Sequence, residues 1–543
     1  TTPGVLQPEL SAILQTEKID VSVMLKSKGS DLRMERTLAR IAQGRQSPLT
    51  DAQFAEHFSA SEKALSALTK FSQENRLTVK TADLSSGRVV LNGSAAQFSE
   101  AFNTKLSVYK HASGLLFQAH EGSVSVPKAL GEHITGIYGL DNSPRAGSRA
   151  VFEAGPKKSL SSVPLEPGDN ASASSGAKSR QAAGAPRGVQ AEPRKVDGAF
   201  EARKVDGAFE ARKVDGAFEA RKVDGAVEPR QSRGFMPNEV ADAYNFPKES
   251  MGNGQSVAIL ELGGKFDQVD NAKYYKNNGL PEPKINVIEL DGSKGRPMGG
   301  VFDTEVALDS QVIGAVAPAA QQNIIFAPNS EKGFVDAIAR ATFPQGSEAK
   351  NSVISISWGM NESSWSKEGI AGMHDALKKA ALKGISIFAS AGDDGALDRS
   401  TNGKWQAHYP ASDPHATGTG GTRLSVDNNG KIKSEVVWNN NRAGDAGGGG
   451  VSEVFGPQEF QKNVKVPPNA NSGKAGRGVP DVTGNADPVT GYRIRVDGSE
   501  GLIGGTSAVA PLYSALMLRI NGTLGKPFGT PLNPWLYQNA HRG

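Results

Sequence analysis

The chain has 543 residues, 37% hydrophobic and 22% charged, with 63 glycines and no cysteine. That length allows several domains and that composition reads as soluble and globular, while the missing cysteines exclude disulfides, thiolate nucleophiles and cysteine-held zinc. The net charge of +4 divides into +6 over residues 1–233 and −2 over 234–543, opposite signs that either help two parts dock or are merely dispersed.

No compact basic patch interleaved with aromatics points to nucleic acid. No apolar run approaches the ~18 residues of a membrane span. The first residues, TTPGVLQPEL, lack the basic and apolar regions of a signal peptide. They also lack an initiator Met, so a leader is expected to have been removed already.

Residues 1–148 read as a small α+β domain. IDVSVMLKS (19–27) alternates as a strand does. LTDAQFAEHFSASEKALSALTKFSQ (49–73) has helical spacing, with Thr50 or Asp51 as cap. A strand RVVLNG (88–93), a helix AAQFSEAFN (95–103) and a hairpin over 105–122 turning at Ser113-Gly114 follow, and VPKALGEHITGIYGL (126–140) closes the domain.

Residues 149–233 differ. They contain a nine-residue repeat: EPRKVDGAF (192–200), EARKVDGAF (201–209 and 210–218) and EARKVDGAV (219–227). One Phe per repeat cannot build a core, so this is expected to be a flexible linker open to proteolysis; a short helical or partner-binding array is the other reading.

From 234 onward short β-branched strands alternate with helices. The strands are SVAILELGG (256–264), INVIEL (285–290), QNIIFAP (322–328), NSVISISWG (351–359) and GISIFASAGD (384–393). The helices include 303–316 and 368–383. This pattern predicts an α/β fold, a mostly parallel sheet flanked by helices, with its active site at the carboxyl ends of the strands.

IGGTSAVAP (503–511) sets Ser507 at the start of a helix, where N–H groups and the dipole favour an anion. A serine nucleophile needs a base. None of the eight histidines is followed by glycine, and none lies between 234 and 373, where the base-bearing helix is expected. DTEVALDSQ offers carboxylates instead. Glu305 and Asp309 are four apart, on one helical face with Cβ atoms roughly 5–6 Å apart. In an apolar setting such a pair shares a proton and one titration moves up.

These residues resemble the sedolisins, the serine-carboxyl peptidases, and among them the kumamolisin-like members. The resemblance runs through GSAAQFSEAFNTKLSVY and VPKALGEHITGIYGLDN, similar to the family's activation domain. It continues through FMPNEVADAYNFP, AILELGG, EVALD, SISWG, SAGDDG, YPASDPHATGTGGT, GGGGVSEVF, GRGVPDVTGNADP and IGGTSAVAP. It implies a subtilisin-like peptidase domain (234–543) behind a ferredoxin-like activation prodomain (1–148) and a linker cut on maturation (149–233).

It also implies roles. Ser507 would be the nucleophile, Glu305 the general base and then acid, and Asp309 its orienting partner. Asp393 would help form the oxyanion hole, ahead of its neighbour Asp394. Glu261 and Trp358 would extend the network. SISWG and GGGGVSEVF, through Ser357, Gly359, Gly448 and Gly449, would line a groove that pairs with a substrate backbone.

A carboxylate titrates near about 4.3 against about 6.5 for histidine, and Asp393 can donate to an oxyanion only when protonated. Both requirements predict greatest activity near roughly pH 3–5. The prodomain would inhibit the enzyme intramolecularly until acid weakens the interface. The mature start is expected around 225–236, and the product is expected to be a secreted monomer acting on proteins and peptides.

The family also implies calcium, held by a C-terminal Asp-Ile step and glycine-rich loop. The 36 residues after Ser507 end at LNPWLYQNAHRG, where that segment would begin, with no substitute cluster of calcium-loop spacing. No metal ligand is therefore named. Two other readings stay open: a conventional histidine-dependent subtilisin, and an inactive or truncated relative acting as a binding or surface protein.

Overall fold

The computed structural model describes residues 4–111, 114–148, 151–152, 210–214, 217–221, 234–293, 295, 300–400, 402–440 and 445–540. Residues 1–153 and 232–543 belong to one compact unit, and 154–231 to a second. In the second, Glu210–Val214 pairs antiparallel with Ala217–Arg221, so parts of two repeats make a hairpin. The other repeat positions, and the interval 225–233, lie outside the described residues. Val151–Phe152, expected in the linker, belongs to the first unit and pairs with Ile503–Gly504.

The amino-terminal part carries a four-stranded antiparallel sheet in the order Thr78–Asp83, Arg88–Ser94, Lys18–Leu25, Ile134–Tyr138. Helices Glu62–Glu74 and Ala95–Ala101 connect the first strand to the second and the third to the fourth in chain order. That is the split β-α-β arrangement of a ferredoxin-like fold. Ser94 and Gln97 form a reciprocal capping box at the second helix.

The single helix predicted over 49–73 is two, Asp51–His57 and Glu62–Glu74. The break has a physical cause. Ala60 leaves the helix to bridge Ser27 and donates its N–H to Leu84 O at 2.8 Å, and Ser61 then caps the second helix. A helix at Asp31–Ala42, also present, was not foreseen.

The carboxyl-terminal part holds an eight-stranded sheet. Its order is Ile285–Glu289, Gln321–Phe326, Ser256–Glu261, Val353–Ile356, Ser386–Ser390, Thr417–Val426, with both Ile432–Val437 and Val482–Asn485 against the last strand. All pairings are parallel except Thr417–Val426 with Ile432–Val437. Helices Val301–Val316 and Val509–Leu524 pack on one face through Val306, Leu308, Val312, Leu512 and Ala515. Helices Glu331–Thr342 and Lys367–Leu382 cover the other through Phe334, Ile338, Met373 and Leu377. The strand order reverses at Ser256–Glu261, the point at which such sheets open a crevice.

The two parts share cores. Met24 and Tyr138 join the cluster under helices Glu331–Thr342 and Lys367–Leu382, and the Phe54 and Phe343 rings lie 5.0 Å apart. Arg88 forks onto the buried Asp336 (Nη2 to Oδ2 2.7 Å), which Lys332 also contacts at 2.8 Å. Lys378 reaches Glu35 at 2.8 Å, and Lys350 reaches Asp51 at 2.6 Å.

Candidate active site

Three candidate residues sit at the carboxyl ends of parallel strands: Glu261 ends one, Ser357 follows a second and Asp393 follows a third. Ser507 comes from the opposite direction. It lies in the turn Thr506–Ala508, directly ahead of helix Val509–Leu524. Gly505 enters that turn at φ 101°, a conformation open to glycine and costly for other residues.

Glu305 and Asp309 lie one turn apart on helix Val301–Val316, both with no solvent exposure. That helix packs against the Ser507 turn. Ser357 joins the two. Its hydroxyl donates to Asp309 Oδ1 at 2.8 Å, and its carbonyl accepts from Ser507 Oγ at 3.4 Å. Ser357 thus turns its side chain inward. Sequence reasoning placed it in the substrate groove and missed this bridge; the motif SISWG carried no signal of which way each serine faces.

Trp358 is buried and donates its indole N–H to Glu261 Oε2 at 2.9 Å, and its ring stacks on Phe302, at the start of the same helix, with centroids 5.6 Å apart. Burial, then the charge of Glu305, pushes the Glu261 carboxyl well above the usual carboxylate range. Burial, then Glu261 and Glu305, does the same to Asp309, against the opposing bond from Ser357. Three acids so close and so dry cannot all ionise. Glu261 Oε1 and Asp309 Oδ2 have no hydrogen-bond partner among the described residues, as fits carboxyl groups that carry a proton in one another's company.

Asp393 is 1% exposed, and its Oδ1 accepts from both the N–H and the hydroxyl of Thr506 at 2.8 and 2.7 Å. That fixes it beside the Ser507 turn. Asp394 turns away and meets Arg399 Nε at 2.9 Å. Thr506 is a further positioning residue; it lay inside the GTSAVAP motif without a role attached.

Gly359 belongs to the strand Trp358–Asn361, where Trp358 stands opposite Ser148 and Gly359 opposite Gly147, antiparallel. On the strand that leads into the Ser507 turn, Ile503 stands opposite Phe152 and Gly504 opposite Val151, also antiparallel. The chain ahead of the linker thus pairs once with the strand that follows Ser357 and once with the strand that precedes Ser507.

Gly448 lies elsewhere. Its N–H is taken by Gly392 O at 2.7 Å, and a Cβ there would fall 2.0 Å from Ala391 O. Its neighbour Ala446 donates to Asp393 O at 3.0 Å. A Cβ on Gly449 would meet Val479 O at 3.0 Å. The glycine run thus packs against the Asp393 loop.

The comparisons agree with this geometry. The family model described as "Pro-kumamolisin, activation domain" matches residues 9–143. Kumamolisin from Bacillus sp. (strain MN-32) is 36% identical over 528 residues, 96% of this chain and 83% of its own length. The chain belongs to the sedolisin family. Sedolisin from Pseudomonas sp. (strain 101) is 23% identical over 526 residues, 92% of this chain and 76% of its own. The solved Pseudomonas sedolisin, a serine-carboxyl proteinase complexed with pseudo-iodotyrostatin, superposes with a TM-score of 0.50 at 25% identity, covering 57% of this chain and 87% of that one.

The chain is thus a serine-carboxyl peptidase with an activation domain, and a serine-type endopeptidase. The histidine-dependent and non-enzymatic alternatives give way to that. Members of the family bind calcium. Among the described residues the one group of three metal-type ligands is Glu35, His374 and His415, two imidazoles and one carboxylate rather than calcium's all-oxygen shell. Lys378 also holds that carboxylate at 2.8 Å. That group does not fit calcium. No described helix is long and apolar enough to cross a membrane.

Proposed function

We propose that the chain is a secreted, acid-activated proenzyme that cleaves unfolded proteins and peptides through Ser507. Ser507 Oγ attacks the scissile carbonyl while Glu305 takes its proton. Glu305 then returns that proton to the leaving amine, and the acyl-enzyme remains. Water enters, gives its proton to Glu305 and frees Ser507. Asp309, tied to Ser357, keeps its proton and orients Glu305. Asp393 in its protonated form donates to the oxyanion, and Glu261 with Trp358 holds the network dry.

The observation that carries this reading is the two-sided pairing of Gly147–Ser148 and Val151–Phe152. A substrate backbone crossing Ser507 would use those same edges. The chain ahead of the linker therefore lies as a substrate would, with Ser357 and Gly359 on the substrate's amino-terminal side. On this reading the activation part both blocks the cleft and supplies an early bond for self-cleavage. Work in acid, guarded by its own prodomain, suits export.

Incubating the purified chain from pH 3 to 8 tests this. The wild type is expected to shorten and to digest denatured protein only in acid, and Glu305→Gln and Ser507→Ala are expected to do neither. Processing by Glu305→Gln at the wild-type rate would overturn Glu305 as the base.

A further inference from the structure

We propose that Arg399 selects an acidic side chain, Asp or Glu, on the third substrate residue ahead of the cleaved bond. This rests on the substrate-like reading of residues 147–152 above. On that reading Gly147 is the third residue before the bond midway between the two paired flanks, and it stands opposite Gly359.

Gly147 has no side chain, so the space beside it shows what a substrate's side chain would meet. A Cβ built there lies 2.9 Å from Arg399 Nη1 and 4.0 Å from its Cζ, and among the described residues nothing else outside its chain neighbours comes within 4 Å. The guanidinium therefore sits across the mouth of this subsite. Its side chain is 47% exposed and tethered through Nε to Asp394 Oδ2 at 2.9 Å, so its tip is able to give outward. A guanidinium carries five donors in a planar fork. Nε serves Asp394, and the Nη edge faces the substrate, where a carboxylate accepts charge-assisted hydrogen bonds. The Asp394 charge works against a second carboxylate and keeps the expected preference moderate.

The turn that presents Arg399 is held firmly. Asp398 and Arg399 both have left-handed backbones, φ 43° and 60°, a conformation that non-glycine residues adopt when surrounding contacts impose it. Those contacts are present. Asp398 Oδ2 meets His408 Nδ1 at 2.7 Å, both residues fully buried, and Asp398 O accepts from Asn361 Nδ2 at 2.9 Å. Asn361 ends the strand that pairs with Gly147, so the loop and the substrate edge are locked to one another. Arg399 also lines a cleft that has Met360 and Asn361 on one wall and Tyr138 and Arg145 of the activation part on the other, so the space beyond the guanidinium opens further once that part leaves.

The test uses the acid-processed enzyme and a set of quenched peptides alike except for one residue. Glu, Ala or Lys is placed in turn at each of the four positions ahead of the cleaved bond. The expected result is a Glu-over-Ala advantage in kcat/KM of about three- to tenfold at the third position alone, the scale of a part-exposed charge pair. Arg399→Ala should bring the ratio to about one, and Arg399→Glu should turn it toward Lys. The advantage should be full at pH 5.5 and fade as the peptide's own carboxyl protonates near about pH 4.3, which a purely steric subsite would not do. If the wild type cleaves the Ala peptides with no preference, or Arg399→Ala keeps the preference, this inference falls and the function stands. If the wild type cleaves no peptide at any pH, both fall together.

Discussion

Ser357, in the middle of the SISWG motif, does the most to tie the site together, since it meets Ser507 with its backbone and Asp309 with its side chain. The buried acids around it also leave a mark on stability. Glu261 and Asp309 have carboxyl pKa values raised above their unfolded ones. Their contribution is fully present below the unfolded values near about 4 and is lost as pH rises through the folded ones. Stability, and with it the melting temperature, is expected to fall as pH rises above about 4, by up to about 1.4 kcal/mol per pH unit for each proton retained. Asp309→Asn should flatten that slope while abolishing activity, and calorimetry across pH reads it directly. A variant as pH-sensitive as the wild type would mean that Asp309 keeps no proton.

At the scale of elements, helix Glu331–Thr342 is where the activation part is held. Burial opposes a charge on Asp336, but Lys332 and Arg88 outweigh it and keep the carboxyl below its usual range. Arg88→Ala leaves a buried charge short of one partner, a change that costs about 3–5 kcal/mol where the remaining charge is otherwise uncompensated. Lys332 remains, so the loss should be at the low end. The expected outcome is a proenzyme that processes at a pH higher by about one unit or more, scored by gel against the wild type. An unchanged processing pH would remove this contact from the inhibitory interface. The same scale shows where sequence signals misled. The apolar spacing of 49–73 continues straight through a break imposed by Ser27 and Leu84, partners far away in the chain.

Over the whole molecule, acid activation should proceed in two windows. His415 is pushed down to about 4, first by burial, then with His374 and Lys378 adding to it and Asp413 and Glu35 opposing. Glu35 comes from the activation part and lies 4.0 Å from His415 Nε2. When that part leaves it takes away burial, which holds the imidazole down, and the Glu35 charge, which holds it up; burial is the larger cause, so His415 is expected to rise toward its ordinary value of about 6.5. The docked state therefore binds fewer protons between those values, and docking weakens as pH falls through that window. Asp51 and Asp336 have lowered pKa values, so their contribution persists to lower pH and is lost only as pH falls through the folded values. His415→Gln should delete the upper window, leaving processing confined to below about pH 4. Processing rates of the full chain from pH 3 to 7 decide it; identical profiles would show that His415 takes no part.

The sequence by itself determined the chemistry and the order of elements. Alternating apolar strands and helices report burial locally, and the GTSAVAP serine, the EVALD acids and the absence of a histidine in the base-bearing stretch are readable wherever the chain runs. Only the tertiary structure decided what faces what. It turned Ser357 inward to Asp309, tied Gly448 to the Asp393 loop, and paired Gly147–Ser148 with Trp358–Gly359 and Val151–Phe152 with Ile503–Gly504. Those outcomes depend on backbone hydrogen bonds and packing between residues up to about 350 positions apart (Ile503 opposite Phe152), and periodicity carries no information at that separation.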